Sequence, residues 1–138
     1  MTSASIINNI TDIYNWLNTV LNPANILNQS TLEQHFTPDF TRNYNGQITT
    51  TDYASLHKHL CKIRNGNIKV VLDLPFIDII VSEDRKKCIV RHSATKTYKD
   101  GHTAKNQVTA IYHFAKDGRA CYVNEVSYSE DNIPTLQA

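Results

Sequence analysis

Apolar and polar residues alternate in three runs between positions 87 and 128, and Asp100-Gly101 and Asp117-Gly118 separate those runs. A period of two marks strands with one buried face, and an Asp-Gly pair between such runs is a strong hairpin signal. The expected strands are Lys87–Lys99, Lys105–Lys116 and Arg119–Tyr128. Just upstream, Ile68–Ser82 is dense in Val, Ile and Leu and is interrupted by Pro75. That predicts a long strand with a bulge or an edge position at the proline. The first third of the chain has a different period. Ile6, Ile10, Ile13, Tyr14, Leu17 and Leu21 recur at spacings of three and four, predicting a helix over Ser5–Leu21 that Asn22-Pro23 ends.

Ser30 followed by Glu33 reads as a capping box for a short helix through Phe36, which Thr37-Pro38-Asp39 closes. Phe40–Gln47 reads as a short strand or extended segment with Asn45-Gly46 as its turn. Thr51 is the expected N-cap of a further helix, with Asp52 in its first turn near the positive end of the dipole. That helix runs to Arg64 with Tyr53, Leu56, Leu60 and Ile63 on one face, and Asn65-Gly66 stops it. Helices followed by an antiparallel sheet is the α+β pattern. With no repeat and no linker, residues 1–138 read as one domain, and Glu130–Ala138 is expected to fray.

Alternation also assigns faces. Val108, Ala110, Tyr112 and Phe114 form the bulkier and more continuous set on their strand, so they point inward. A two-residue turn at Asp117-Gly118 sets Phe114 opposite Cys121, Tyr112 opposite Val123, and Ala110 opposite Glu125. A three-residue loop at Asp100-Gly101-His102 sets His92 opposite Ala110. His92 and Glu125 then flank Ala110 on the inward face, their backbones about 10 Å apart, or two strand spacings. The short alanine lets both side chains lean toward a shared ligand. A slip of one residue would turn His92 outward.

Glu125 is the sharpest anomaly on this face. A carboxylate among apolar neighbours has its charged form disfavoured by lost hydration, the tuning that acid–base catalysis near neutral pH requires. The competing reading is a carboxylate satisfied by its neighbours and chemically idle. His92 is a candidate proton carrier or ligand group, or else a core histidine with one structural hydrogen bond. His57 and His59 lie roughly 80° to either side of the apolar stripe of their helix, so they cannot chelate one metal. His59 faces toward the pocket and His57 toward water. Tyr44 and Tyr112 are candidate hydrogen-bond donors to a ligand, with core packing as the plainer role of an aromatic. Ser93 follows His92 on a strand and therefore points to the opposite face, which excludes a serine–histidine pair there.

Composition narrows the classes. The chain has 138 residues, a formal net charge of +1 and 41% hydrophobic residues, enough for one real core and without the basic footprint of a nucleic-acid binder. Its longest apolar run falls short of a membrane helix, and the start lacks the pattern of a secretory leader. The expected location is cytoplasmic, with no nucleic-acid and no membrane partner. Cys61, Cys88 and Cys121 are odd in number and far apart, so they read as reduced thiols rather than a disulfide framework or a zinc site. The absence of H-x-x-x-H, H-E-x-x-H and nucleotide-binding motifs predicts neither metal nor cofactor.

Several short motifs resemble the SnoaL-like branch of the nuclear transport factor 2-like (NTF2-like) superfamily. Phe36-Thr37-Pro38-Asp39-Phe40 through Asn45-Gly46 is similar to that family's entry segment. Leu56-His57-Lys58-His59-Leu60 is similar to its histidine-bearing helix, with His59 as the match. Val90-Arg91-His92, Lys99-Asp100-Gly101, and Phe114 to Arg119 leading to Asn124-Glu125-Val126 are similar to its closing strands. The resemblance implies a cone-shaped fold, N-terminal helices on a strongly curved and mainly antiparallel sheet, and a homodimer formed through the sheet. It places Glu125 and His92 at polar pocket positions with His59 nearby. Relatives include isomerases, cyclases, epoxide hydrolases and dehydratases. One departure is that Ser127 and Tyr128 stand where many members carry an acidic residue. The functional expectation is a pocket for a small apolar molecule, with Glu125 and His92 catalytic and His59, Tyr44, Tyr112, Ala110 and Val123 lining it. Acid–base isomerisation, cyclisation or dehydration would need no cofactor. A non-catalytic binding or dimerisation module of the same fold is the alternative.

Overall fold

A sheet with one apolar face must cover that face, and here helices cover it. The computed structural model describes residues 2–132. Its elements are α1 (Ser3–Val20), α2 (Gln29–His35), β1 (Phe36–Tyr44), β2 (Gln47–Thr50), α3 (Tyr53–Arg64), β3 (Lys69–Leu72), β4 (Asp78–Val81), β5 (Lys87–Thr97), β6 (Thr103–Phe114) and β7 (Ala120–Ser129), with a 3-10 turn at Glu130–Asn132. Of the tail expected to fray, the residues from 133 onward lie outside the described ones. The strand order is β2-β1-β7-β6-β5-β3, and β4 also pairs with β5. β1 runs parallel to β7 and every other pair is antiparallel, so the sheet is mixed.

The α1 stripe does what its spacing demands: Ile6, Ile10, Ile13 and Tyr14 are buried against the sheet, with Leu17 and Leu21 at its margin. Near the other end of α1, Asn18 donates to the Leu72 carbonyl and accepts the Leu72 N–H, each at 2.8 Å. That clasp fixes the helix to β3 and to one wall of the cone. Two cap assignments move by two or one positions. Asn28, not Ser30, caps α2, accepting Thr31 N–H. Asp52, not Thr51, caps α3 in a reciprocal capping box with Ser55. Both corrections have one cause. A carboxamide or carboxylate reaches the third residue of a helix as readily as a hydroxyl does, and residue type alone does not say which of two adjacent candidates is first.

Thr37-Pro38-Asp39 is not a loop. β1 already begins at Phe36, and its register against β7 shifts between Phe36 and Thr41, where Pro38 withholds a donor. The long strand expected over 68–82 divides into β3 and β4, which lie end to end on the same edge of β5. Between them the chain folds inward, and Leu74 and Phe76 pack onto the core.

Both Asp-Gly hairpins use the same loop. Gly101 N–H bonds to the Tyr98 carbonyl and Tyr98 N–H to the His102 carbonyl, while Gly118 N–H bonds to Ala115 and Ala115 N–H to Arg119. Each glycine has φ of +89°, a left-handed value that a side chain would oppose. The first loop has the expected three residues but closes one position earlier, on Tyr98 and His102, the second is one residue longer than expected, and the registers follow. His92 pairs with Val108, and Val90 takes the expected place of His92 opposite Ala110. A shift of two keeps His92 on the inward face, where a shift of one would have expelled it. In the second hairpin Phe114 pairs with Ala120, not Cys121. A bulge at Cys121 then absorbs the extra residue and restores Tyr112–Val123 and Ala110–Glu125. Cys121 therefore leaves the inward face and its thiol donates to the His113 carbonyl. Of the three thiols expected to be buried, only Cys88 is.

Candidate functional site

The concave side of the sheet, α1 and α3 enclose a cavity of about 290 Å³ whose wall is mostly Leu, Ile, Val and Phe side chains. Six of the seven expected site residues line it: Glu125, His92, His59, Tyr44, Tyr112 and Val123. Ala110 does not. It is fully buried beneath the wall, because its methyl group is too short to reach past Val90 and Glu125, its neighbours across the sheet. His92 and Glu125 lie one row apart on the same face, since their partners on β6 are Val108 and Ala110.

Five polar lining residues were not among the expected site residues: Tyr14, Arg42, Lys96, Asn106 and Ser127. For those on strands the signal was the same alternation that located His92. Arg42 stands between Phe40 and Tyr44 at spacing two, and Lys96 follows His92 and Ala94 at spacing two.

Arg42 organises one side of the cavity. Its guanidinium donates to Glu125 Oε2 at 2.6 Å and to Thr49 Oγ1 at 3.1 Å, and it lies 4.4 Å from the centre of the Tyr44 ring. Arg42 Nη1 also stands 3.3 Å from His59 Nε2. Guanidinium has no acceptor, so His59 Nε2 must present its lone pair and the ring is neutral. Burial, and then the positive field of Arg42, hold His59 below its ordinary value of 6.5. The Arg42 and Glu125 side chains are only 16% and 14% exposed, so each charge depends on the other for compensation.

His92 is 1% exposed and its Nδ1 lies 2.9 Å from the Ser93 carbonyl. A carbonyl only accepts, so Nδ1 carries a hydrogen toward Ser93. The other ring nitrogen, Nε2, is buried and has no hydrogen-bond partner among the described residues. The ring is gripped edge-on by Tyr14, with centroids 4.9 Å apart, and by Phe76 at 6.1 Å. Beside it, the Tyr112 and Tyr14 hydroxyls are hydrogen-bonded to each other at 3.1 Å. Burial, then the neighbouring Tyr112 and Glu125, push the Tyr14 phenol well above its ordinary range, so it keeps its proton. The site thus sets a buried imidazole beside a buried, protonated phenol in an apolar hollow. Among the described residues, no group of three His, Cys, Asp or Glu side chains is placed to hold a metal ion. No helix of the described residues is long and apolar enough to cross a membrane.

No protein-family model and no curated protein matches the sequence. Solved structures do match the fold. An NTF2-like protein from Burkholderia xenovorans LB400 superposes with a TM-score of 0.72 at 13% identity, covering 93% of this chain and 92% of its own. SalBIII, an epoxide hydrolase/cyclase-like enzyme of pyran ring formation in the polyether salinomycin, matches with a TM-score of 0.67 at 10% identity over 88% of each chain. A proposed SnoaL-like polyketide cyclase from Jannaschia sp. CCS1 matches with a TM-score of 0.64 at 10% identity, covering 92% of this chain and 86% of its own. The α+β cone expected from the motifs is therefore the observed fold.

Two consequences of this geometry are measurable. Arg42→Met strands the Glu125 charge and should lower stability to urea by about 3–5 kcal/mol at neutral pH. Adding Glu125→Gln should recover most of that loss; a double variant no more stable than the single one would show that the two charges do not compensate each other. For His59 the folded value lies below the unfolded one, so the unfolded chain binds the extra proton as pH falls. Stability contributed above pH 6.5 is therefore lost below it. His59→Gln should flatten that part of the profile, and an unchanged slope would contradict the assignment.

Proposed function

We propose that this chain, which has the cone fold of the NTF2-like proteins, binds a small and largely apolar carbonyl compound and moves a proton within it. The observation that carries this reading is a buried imidazole, His92, in the wall of an apolar cavity, with an Nε2 that has no hydrogen-bond partner among the described residues. A buried acceptor without a donor is destabilising by roughly 1–3 kcal/mol unless something else meets it. A bound molecule offering a hydrogen at that point relieves the deficit. The cavity is about 290 Å³, and an apolar hollow of about 150 Å³ takes a benzene ring, so two fused rings are the size that fits.

In this reading the Tyr14 hydroxyl donates to the carbonyl oxygen of the guest and His92 Nε2 removes a proton from the adjacent carbon. The C–H electron pair moves into an enolate, whose oxygen Tyr14 stabilises from a position fixed in advance by Tyr112. The proton on Nε2 then returns to another carbon in an isomerisation, or to a departing hydroxyl that leaves as water in a dehydration. The likeness to cyclase-like enzymes supports this class of chemistry by fold alone. Glu125, first expected as the proton acceptor, serves here as the charge that holds Arg42.

The test uses α-tetralone in deuterium oxide, with binding followed by thermal shift and α-hydrogen exchange by NMR. Wild-type protein should be stabilised and should accelerate exchange, and His92→Phe should bind while losing the acceleration by about a hundredfold or more. Stabilisation without acceleration would establish the binding-module alternative instead, and no stabilisation would remove the pocket reading.

A second copy of the chain is the partner we infer for the convex face of the sheet. Ile80, Ile89, Val126 and Tyr128 are exposed on that one face, an apolar surface that two copies can cover reciprocally about a two-fold axis. Sedimentation should give a dimer for wild-type protein and a monomer for Ile89→Lys with Val126→Lys. A wild-type monomer at tens of micromolar would refute the assignment.

A further inference from the structure

The cavity is polar at both ends, and the two ends differ in kind. His92 and Tyr14 sit at its buried end, whereas Lys96 lies on the same face of β5, four residues toward the strand's end, and also lines the wall. Four residues of strand span about 13 Å. Between the two positions the wall is Ala94, with Leu72 and Asn106 directly across from it and Val70 and Val108 on the diagonals. Lys96 is half-buried, and among the described residues no carboxylate lies within ion-pair distance of its ammonium, the five ion pairs present all using other partners. Its cross-strand neighbours are Val70 and Ala104, neither of which can accept a hydrogen bond through its side chain. Asn106 stands close by on β6 and also lines the cavity; its Nδ2 donates to Ser127 Oγ at 3.0 Å.

We propose that the ligand of this cavity is a monocarboxylate whose anionic end is taken by Lys96 at the rim while its apolar body runs inward toward His92. The proposal rests on the pocket reading above and adds the class of molecule. A single unpaired ammonium in an apolar wall balances one negative charge. A phosphate monoester would bring close to two, with no second cation on the wall to meet the excess, since Arg42 is already compensated by Glu125. The spacing of the two polar ends also sets a length. A carboxylate at Lys96 places atoms roughly ten bonds away level with the imidazole, at about 1.25 Å per bond over the ~13 Å between the two positions, which excludes acetate-sized acids as productive guests and admits medium-chain or aryl-alkyl acids. The carboxylate at one end and the proton-transfer site at the other would fix the direction in which the molecule enters.

The experiment compares decanoate with its neutral isostere decanamide by isothermal titration at low ionic strength. Wild-type protein should bind decanoate roughly tenfold more tightly, as expected for a charge-assisted hydrogen bond at a partly shielded site. That preference should shrink with added salt. Lys96→Met, which keeps the apolar stem, should bind both with the affinity wild-type protein shows for decanamide, and Lys96→Arg should restore the preference. Equal affinity of the two probes for wild-type protein, or a preference that survives Lys96→Met, overturns the carboxylate assignment and leaves the pocket reading intact. Failure of both probes to bind overturns the carboxylate assignment, while the pocket reading stands or falls with α-tetralone.

Discussion

Two opposite charges placed in an apolar hollow must answer each other, and the contact between Arg42 and Glu125 is the constraint around which the remaining polar groups are arranged. Each is too poorly hydrated to stand alone. Once the guanidinium is committed to the carboxylate, its other N–H groups dictate what stands around it. Thr49 accepts one, and His59 is compelled to present a lone pair rather than a hydrogen. The Tyr44 ring accepts the cation's flat face. The pair is also self-neutralising, so neither member is available as a strong acid or base. In the proposed function proton transfer therefore falls to the buried imidazole on the other side, where the Ser93 carbonyl takes a hydrogen from Nδ1 and no group among the described residues partners the remaining nitrogen.

How much of this was legible beforehand depended on whether a feature obeys a period or a length. The period of two carried the inward placement of His92, Glu125, Tyr112 and Val123, and the period near three and a half carried the buried stripe of α1. Lengths were less readable. Nothing local distinguishes a two-residue turn at Asp117-Gly118 from the longer loop that begins at Ala115, because the glycine satisfies both. The bulge at Cys121 then compensates for that error, so Ala110 and Glu125 pair as expected despite the wrong turn. At the other hairpin no bulge intervenes, and His92 moved by two places along its neighbour. Parity survived in both cases, which is why the pocket was found even though its detailed neighbours were not.

The residues that went unseen share another property. Arg42 and Lys96 look like ordinary solvated surface cations in a sequence, and their burial follows from the curl of the sheet rather than from their neighbours in the chain. Curvature is a collective outcome of twist, bulges and helix packing, and the parallel contact of β1 with β7 that brings Arg42 to Glu125 joins segments 83 positions apart. Glu125 is read differently for the same reason: an isolated carboxylate on an apolar face invites one conclusion, and a compensated one invites another.

The division of one expected strand into β3 and β4 has a consequence for how the molecule behaves among its neighbours. An unbroken run of open backbone donors and acceptors along a sheet margin is a template on which other chains can add strands. Here that margin consists of two four-residue pieces, and the inward fold at Leu74, Pro75 and Phe76 removes the middle of the template. The same detour that sends an aromatic ring to grip the imidazole thus blunts the border of the sheet against runaway self-association, so that one interruption serves both side-chain order inside and colloidal restraint outside.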